Sequence, residues 1–338
     1  MPDDSLRTLF HPFETGELPV LPKGERVLFL GAEPGFRPPL GWTAAIHAVQ
    51  PLRTSFLALR ASGSQVAPRA EGQDYAAALV LAGRHRGRNQ LWLAEAIERT
   101  VPDGWIVVAG GKEDGILSLR RRIGRFVEIC GSEPKYHGLA FWFRRPADLT
   151  AASRLRAENP ETTVEGSRAA PGMFSPDHVD PGSRLLAADL PDDVSGAVAD
   201  FGAGWGYLAG ELLSRGDGVS RTDLYEADFE ALEAARKNLD SVREGVEIGF
   251  FWTDLLAEPV GRRYDFIVMN PPFHSGRAAE PAIGQGMITA AARALVPGGR
   301  LLLVANRQLP YERVLAREFR EAGEMARDAR YKVLWAVR

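Results

Sequence analysis

Apolar residues along the second half of the chain follow two alternating rhythms. AVADFG (197–202) is a short continuous apolar run that stops at glycines, residues 205–215 take helical spacing, and a further apolar run follows near 219–225. Within 228–240, Phe229, Leu232, Ala235 and Leu239 recur at helical intervals and give a helix one apolar side. VEIGFFW (246–252), YDFIVMN (264–270), a helical stretch near 285–296, a Pro-Gly-Gly turn and RLLLVAN (300–306) continue the alternation. Nearly continuous apolar strands between helices predict an α/β fold, with a mostly parallel sheet covered by helices on both faces.

The first half repeats the later part of this pattern. YAAALVLAGRHRG (75–87) parallels YDFIVMNPPFHSG (264–276), and NQLWLAEAIERTVPDGWIVVAGG (89–111) parallels QGMITAAARALVPGGRLLLVAN (285–306). KYHGLAFWF (135–143) matches YKVLWAV (331–337). Strand, helix, Pro-x-Gly turn and second strand come in the same order, which predicts a duplicated fold. Between the copies, residues 148–170 are polar and broken by Pro160 and Gly166, with Pro171 and Gly172 just beyond. The expected division is a first domain over 1–150, a linker over 151–170 and a second domain over 171–338. A length of 338 residues agrees with two domains, at roughly 100–200 residues each.

Composition narrows the class. With 45% hydrophobic and 25% charged residues, the chain has enough apolar surface to bury substantial cores, and wholesale disorder is excluded. No apolar run approaches the ~20 residues of a membrane-spanning helix, and the opening MPDDSLRTLF carries acid where a signal peptide carries base. One cysteine, Cys130, excludes an internal disulfide and a multi-cysteine zinc site. It follows an apolar stretch and reads as a small core residue. A cytoplasmic protein without a membrane partner is expected. The six histidines lack metal-ligand spacing, so no metal site is expected, and Ser175, Ser183 and Ser275 lack a nucleophile-elbow context.

The net charge of −3 conceals an asymmetry. Residues 1–165 hold 21 Lys and Arg against 19 Asp and Glu, whereas 166–338 hold 20 against 25. Residues 83–145 alone hold 12 basic against 7 acidic, among them Arg84, Arg86, Arg88, Arg120, Arg121 and Arg122. This sector is a candidate for meeting phosphates.

The candidate chemistry lies in the second half. Asp200-Phe-Gly202-Ala203-Gly204-Trp-Gly206 follows a strand and precedes a helix, where glycines permit a sharp turn and close approach of a ligand. A dinucleotide fingerprint would have a third glycine where Tyr207 stands. The pattern instead resembles the S-adenosyl-L-methionine loop of class I methyltransferases. Glu226, with Ala227 after it, ends the next strand, where a carboxylate can accept both hydroxyls of a ribose. Asp254 lies beyond the following strand, a place for a polar group near an adenine amine. Asn270-Pro271-Pro272-Phe273 follows YDFIVM. The Asn270 oxygen and the Pro271 carbonyl can accept both N–H bonds of a planar exocyclic amine and aim its lone pair at a methyl donor. Consecutive prolines hold these acceptors rigid, and Phe273 can stack on an unpaired base. His274 is a further candidate for substrate contact.

At these motifs, and at PGMFSPDHVDPGSRLLAADLP and VANRQLPY, the sequence resembles the bacterial 16S ribosomal RNA guanine-N2 methyltransferases, densely over 170–338 and loosely over 1–150. The resemblance implies two tandem Rossmann-like class I methyltransferase domains with seven-stranded-type sheets, the N-terminal copy degenerate. It implies S-adenosyl-L-methionine as methyl donor and ribosomal RNA or the small ribosomal subunit as partner. Asp200, Gly202, Ala203, Gly204, Gly206, Glu226, Ala227, Asp254 and Asn270 would then hold the cofactor, and Asn270 to Phe273 the target guanine. Phe174 and Ser183 lie in the family's segment ahead of the glycine loop and would cover the cofactor. A monomer is expected.

Alternatives are another planar amine as acceptor (a large-subunit rRNA guanine, adenine N6 or a protein glutamine) and a non-catalytic RNA-binding assembly factor. In the first copy, Gly83-Arg84-His85-Arg86 stands for the NPPF motif and VLFLGAEPG (27–35) for the glycine loop. That domain is expected to bind no cofactor and to grip RNA through its arginines.

Overall fold

The computed structural model describes residues 4–338 apart from 216, 241, 243, 244, 273, 276, 277 and 280, with 274, 275, 278 and 279 described by their backbone alone. The chain forms two compact units, one of Met1–Glu161 with Ala170–Gly172, the other of Thr162–Ala169 with Met173–Arg338.

The first unit contains α1 (Asp4–Glu14), β1 (Arg26–Leu30), β2 (Ala45–Val49), α2 (Arg53–Ala61), β3 (Gln65–Ala67), β4 (Tyr75–Leu81), α3 (Arg86–Arg99), β5 (Thr100–Gly111), α4 (Ile116–Ile123), β6 (Gly131–Lys135), β7 (Gly138–Arg144) and α5 (Thr150–Ala157). Its seven strands run in the order β3-β2-β1-β4-β5-β7-β6. The last two pair antiparallel and the rest parallel.

The second unit opens with the hairpin β8 (Thr162–Val164) and β9 (Ser167–Ala169). It continues with α6 (Pro181–Ala188), β10 (Ser195–Phe201), α7 (Tyr207–Arg215), β11 (Gly218–Glu226), α8 (Phe229–Leu239), β12 (Glu247–Trp252) and β13 (Tyr264–Met269). A short ribbon, β14 (His274–Ser275) and β15 (Ala278–Ala279), precedes α9 (Pro281–Ala294), β16 (Leu295–Asn306), α10 (Glu312–Glu318), β17 (Glu321–Arg327) and β18 (Tyr331–Val337). The sheet order, β12-β11-β10-β13-β16-β18-β17, is that of the first unit.

Alternation across each sheet builds two apolar layers per unit. Val198 and Val268 face α6, α7 and α8, while Ala199 and Ile267 face α9 and α10. Val27 and Leu79 likewise face α1, and Leu28 and Ala78 face α3, α4 and α5. The likeness of the two units extends to detail. Tyr75 and Tyr264 open equivalent strands with the same irregularity just after them. Their hydroxyls meet His47 (3.1 Å) and Asp223 (2.7 Å), which hold the same register two strands away, on β2 and β11. Asp103 and Gly298 take the left-handed conformation at the same point of the Pro-x-Gly turn.

Three sequence expectations change. The stretch 151–170 is divided between the units instead of linking them. Ala151, Ala152 and Leu155 on α5 are buried in the first core, and Arg168 in the hairpin exchanges hydrogen bonds with Asn238 on α8. Small residues in a polar context hid that apolar face. Cys130 is exposed, because Phe126, Val127 and Ile129 supply the inward contacts of its turn. Finally, strand register moves the counterpart of the NPPF motif. Val80 and Met269 occupy equivalent positions, so Leu81-Ala82-Gly83, and not the run beginning at Gly83, stands where Asn270-Pro271-Pro272 stand. Among the described residues no helix is long and apolar enough to cross a membrane, and no cluster of His, Cys, Asp or Glu could hold a metal ion.

Candidate active site

The carboxyl ends of β10, β11 and β13 meet where the second unit opens a cleft of about 410 Å³, lined among others by Phe174, Gly202, Ala203, Gly204 and Asn270. The glycine loop leaves β10 with Gly202 and Ala203 both donating to the Tyr225 carbonyl (2.8 and 3.1 Å). Gly202, Gly204 and Gly206 have φ of 80°, 54° and 91°, a region that disfavours any residue with a Cβ. A Cβ on Gly204 would meet no atom within 4 Å and would project into open space. One on Gly206 would press on Ala235 at 3.1 Å. Gly206 therefore seats the loop on α8, whereas Gly204 keeps room for a ligand.

Two carboxylates lie under this loop. Asp200 is fully buried; its Oδ2 accepts the Ala209 N–H (3.1 Å) and its Oδ1 has no partner. Burial pushes its pKa up to about 8; the Ala209 N–H opposes this and Glu226 adds to it. A buried carboxylate oxygen without a donor is costly, and a cationic or hydrogen-bond-donating ligand would relieve the cost. Glu226 ends β11, where Oε2 accepts the Gly204 N–H (2.8 Å) and Oε1 the Asp228 N–H (2.7 Å). Burial raises its pKa against those two N–H groups. Both oxygens are fixed in place, and each has a further lone pair for a hydroxyl.

Asn270 follows β13. Its Nδ2 donates to Asp180 Oδ2 (2.9 Å) and Ser183 Oγ (2.8 Å), both side chains buried at the start of α6. The carboxylate can only accept, so the amide nitrogen must face it and Oδ1 must face away. Asp180 also caps α6 by accepting the Ser183 N–H (2.9 Å), with Pro181 at the first helical position. Sequence reading placed Ser183 over the cofactor and gave Asp180 no role. The Asp-Pro pair signals a helix start but not its long-range partner 90 residues on.

Other predicted residues fall differently. Phe174 is exposed at the cleft, and its carbonyl accepts from Trp205 Nε1 (3.2 Å). Pro271 is buried and Pro272 exposed. The Ala227 carbonyl takes the Trp252 indole N–H (2.8 Å). Asp254 is buried in its own turn, Oδ1 accepting the Leu256 N–H (2.9 Å), and, like Asp200, Gly206, Glu226 and Ala227, is not among the cleft's lining residues. Phe273 lies outside the described residues, and the backbone of His274 pairs with Ala279.

The corresponding positions of the first unit are filled. Gly31 and Ala32 donate to Val49 just as Gly202 and Ala203 donate to Tyr225. Register then sets Phe29 in place of Asp200, Glu33 of Gly204, Gln50 of Glu226 and Leu81 of Asn270. Glu33 occupies the space itself, accepting from Gln50 Nε2 (3.1 Å) and Ser55 Oγ (2.9 Å). Trp92, at the α3 position matching Met287, has ring atoms 2.5 and 2.8 Å from where a Cβ on Gly31 would lie. The arginines of this unit divide as well. Arg84, Arg86, Arg121 and Arg122 line adjoining hollows together with Arg125, whereas Arg88 packs on Gly172 and Arg120 lines none of them.

Comparison with known proteins bears on this geometry. Residues 167–335 match the model of the methyltransferase small domain. A ribosomal RNA small subunit methyltransferase C of Shewanella amazonensis is 30% identical over 239 residues, covering 69% of this chain and 68% of its own. One of Klebsiella pneumoniae is 31% identical over 243 residues, 68% and 66% of the two chains. Among solved structures, the T. thermophilus 16S rRNA N2 G1207 methyltransferase (RsmC), in complex with AdoMet and guanosine, superposes with a TM-score of 0.77. It is 26% identical and covers 99% of this chain and 92% of its own.

Proposed function

The chain belongs to the ribosomal RNA small subunit methyltransferase C family, and from that membership we propose that it methylates the exocyclic N2 amine of a guanine in 16S ribosomal RNA. The observation that carries this reading is the held orientation of Asn270, whose Oδ1 is turned away from Asp180 at the edge of a glycine-loop cleft. S-adenosyl-L-methionine, when bound, supplies a methyl group on a sulfonium and leaves as S-adenosyl-L-homocysteine. The residues fit it. The partnerless Asp200 Oδ1 suits a donor, Gly204 leaves space, and Glu226 presents fixed acceptors for ribose hydroxyls.

In this proposal Gly202, Ala203, Gly204 and Glu226 hold the cofactor, and Phe174 lies over it. Gly206 and Ala227 act through the backbone, and Asp254 shapes the adjoining turn. Asn270 Oδ1 accepts one N–H of the target amine and the Pro271 carbonyl the other. Drawing on both N–H bonds loosens the lone pair from the ring and points it at the electrophile. The nitrogen gains the methyl group and then loses a proton to solvent, so no general base is needed at the moment of transfer. Pro272 restrains the motif, and Phe273 and His274 are assigned to the base.

The first unit is assigned no cofactor, since Phe29, Glu33, Trp92 and Leu81 occupy the equivalent places. We place the protein as a 36.9 kDa monomer in the cytoplasm, where ribosomal RNA is found; light scattering tests the mass. Asn270→Ala tests the chemistry. Methyl transfer to 16S rRNA should be lost while cofactor affinity by calorimetry stays near wild type. Full turnover in that variant refutes the assignment.

A further inference from the structure

The cofactor region of the first unit is filled, yet the neighbouring part of the same sheet edge stays open. Beyond β4 and β5, the first turn of α3 and the length of α4 bound three adjoining hollows of about 460, 550 and 740 Å³, which share Arg86. Arg84, Arg86, Arg121, Arg122 and Arg125 line them, five cations against three acids, Glu113, Asp114 and Glu158. Arg122 is paired with Glu158. Arg84, Arg86, Arg121 and Arg125 are exposed and, among the described residues, form no ion pair.

Their placement works against local stability. A helix N-terminus carries partial positive charge and favours acids, yet α3 has no acid in its first turn and starts at Arg86, with Arg84 just before it. The last-turn arginines of α4 complement that helix's dipole, but the arginines at the start of α3 oppose theirs. Like charges gathered along one hollow repel, and an anion bound there removes the penalty. The floor beneath them is rigid. Asn89, 2% exposed, grips Gly83 through both its amide oxygen and nitrogen (2.9 and 2.6 Å), and buried Gln90 accepts from Asn159 (2.9 Å).

We propose that this trough is a phosphate-backbone site for RNA, built where the first copy of the fold gave up its own catalytic pocket. Its extent favours several phosphates of a polynucleotide over a single small anion, and planar guanidinium groups suit phosphate oxygens. The proposal rests on the reading of the chain as an RNA methyltransferase, and its test is kept apart from that activity. A 16S rRNA transcript is titrated by filter binding across a salt series, against wild type and the Arg84→Glu, Arg86→Glu, Arg121→Glu, Arg125→Glu quadruple variant. A charge-matched control carries Glu at the exposed Arg7, Lys23, Arg37 and Arg60.

The trough variant should lose at least about tenfold in affinity. Its log–log salt slope should shallow by about 2 to 4, since each phosphate contact contributes ~0.7–0.9. Cofactor affinity and kcat at saturating RNA should stay at wild-type values, and the melting temperature should not fall below the wild-type value, since acids suit the start of α3. Unchanged RNA affinity and slope in the folded variant overturn the proposal, as does an equal loss in the control, which would mean that net charge alone is felt. Failure of the methylation reading would appear instead as absent cofactor binding or absent transfer to 16S rRNA, with the RNA titration unaffected.

Discussion

Replacing Asp180 with alanine tests the part of the site that sequence did not assign. The carboxylate is buried and accepts from both Asn270 Nδ2 (2.9 Å) and the Ser183 N–H (2.9 Å). Ser183 Oγ, the other partner of Asn270 (2.8 Å), can accept or donate and so cannot fix the direction of the amide. Only the carboxylate does that. Its removal deletes a charge-assisted hydrogen bond of ~1.5–3 kcal/mol, and the amide must then be reordered for each turnover. At ~1.4 kcal/mol per tenfold, kcat should fall by about 10- to 150-fold. Lost capping of α6 costs a further ~1 kcal/mol of stability, visible in the melting temperature. Asp180→Asn separates the two effects. Asparagine caps as well as aspartate and still offers Asn270 a neutral acceptor, so melting should return to wild type and kcat should recover most of its loss. The assay is steady-state methylation of 16S rRNA with kcat and KM resolved, beside cofactor calorimetry. Wild-type kcat in Asp180→Ala, or a loss confined to cofactor affinity, refutes the positioning role. So does a further loss of the same size in the Asn270→Ala background, since residues acting through one contact cannot add.

Ser183→Ala removes a neutral bond worth ~0.5–1.5 kcal/mol, so kcat should drop by about 2- to 12-fold without a change in cofactor affinity. Gly204→Leu forces a side chain into the cleft at a φ of 54°; cofactor binding should vanish by calorimetry while RNA binding by filter assay persists. Asp200→Asn should change the pH dependence of stability. The folded carboxyl titrates near 8 and the unfolded one near 3.8, so between these values the folded state holds a proton that the unfolded state lacks. Its contribution is complete below the lower value and is lost as pH rises through the upper one, by up to ~1.4 kcal/mol per pH unit. In urea melts the wild type should lose ground to the asparagine variant between pH 5 and 8, on the order of a kcal/mol or more; a constant difference would contradict the burial argument.

Much of this was written in local pattern. Alternating apolar runs and helical spacing announced a mostly parallel sheet with helices on both faces, and right-handed crossovers leave few ways to arrange its β-α-β units. The duplication was legible because the Pro-x-Gly turn requires one left-handed residue, met by Asp103 in one copy and Gly298 in the other. What stayed hidden depends on distance along the chain. Asp180 and Asn270 are 90 residues apart, and no local spacing ties a helix cap to a strand end. The buried face of α5 was hidden because two of its inward residues are alanines. The misplaced NPPF counterpart had another cause. GRHR resembles a motif by its glycine and its position after a strand, but counting along from Tyr75 and Tyr264, which open the two equivalent strands, sets Leu81 against Asn270, as register does.

The two units serve as controls for each other. They share strand order, irregularities and loop geometry, so whatever differs between them at the sheet's carboxyl edge is not demanded by the fold. Folding can dispense with a buried carboxylate at the end of the central strand, since Phe29 fills that place with an apolar ring packed among Phe10 and Phe36. Asp200 in the second unit carries a desolvation cost that the Ala209 N–H of α7, a helix with no counterpart between β1 and β2, offsets through Oδ2 alone, and a ligand can supply the donor that Oδ1 lacks. The same argument runs in reverse for the arginines. The second unit builds this edge with Asn270 and two prolines, so the fold does not require cations at the start of the following helix, where the dipole disfavours them. Each unit thus holds at the same edge a feature that costs stability in isolation. In the second unit the feature is an orphan carboxylate oxygen suited to a donor, and in the first it is a set of uncompensated guanidinium groups suited to phosphate.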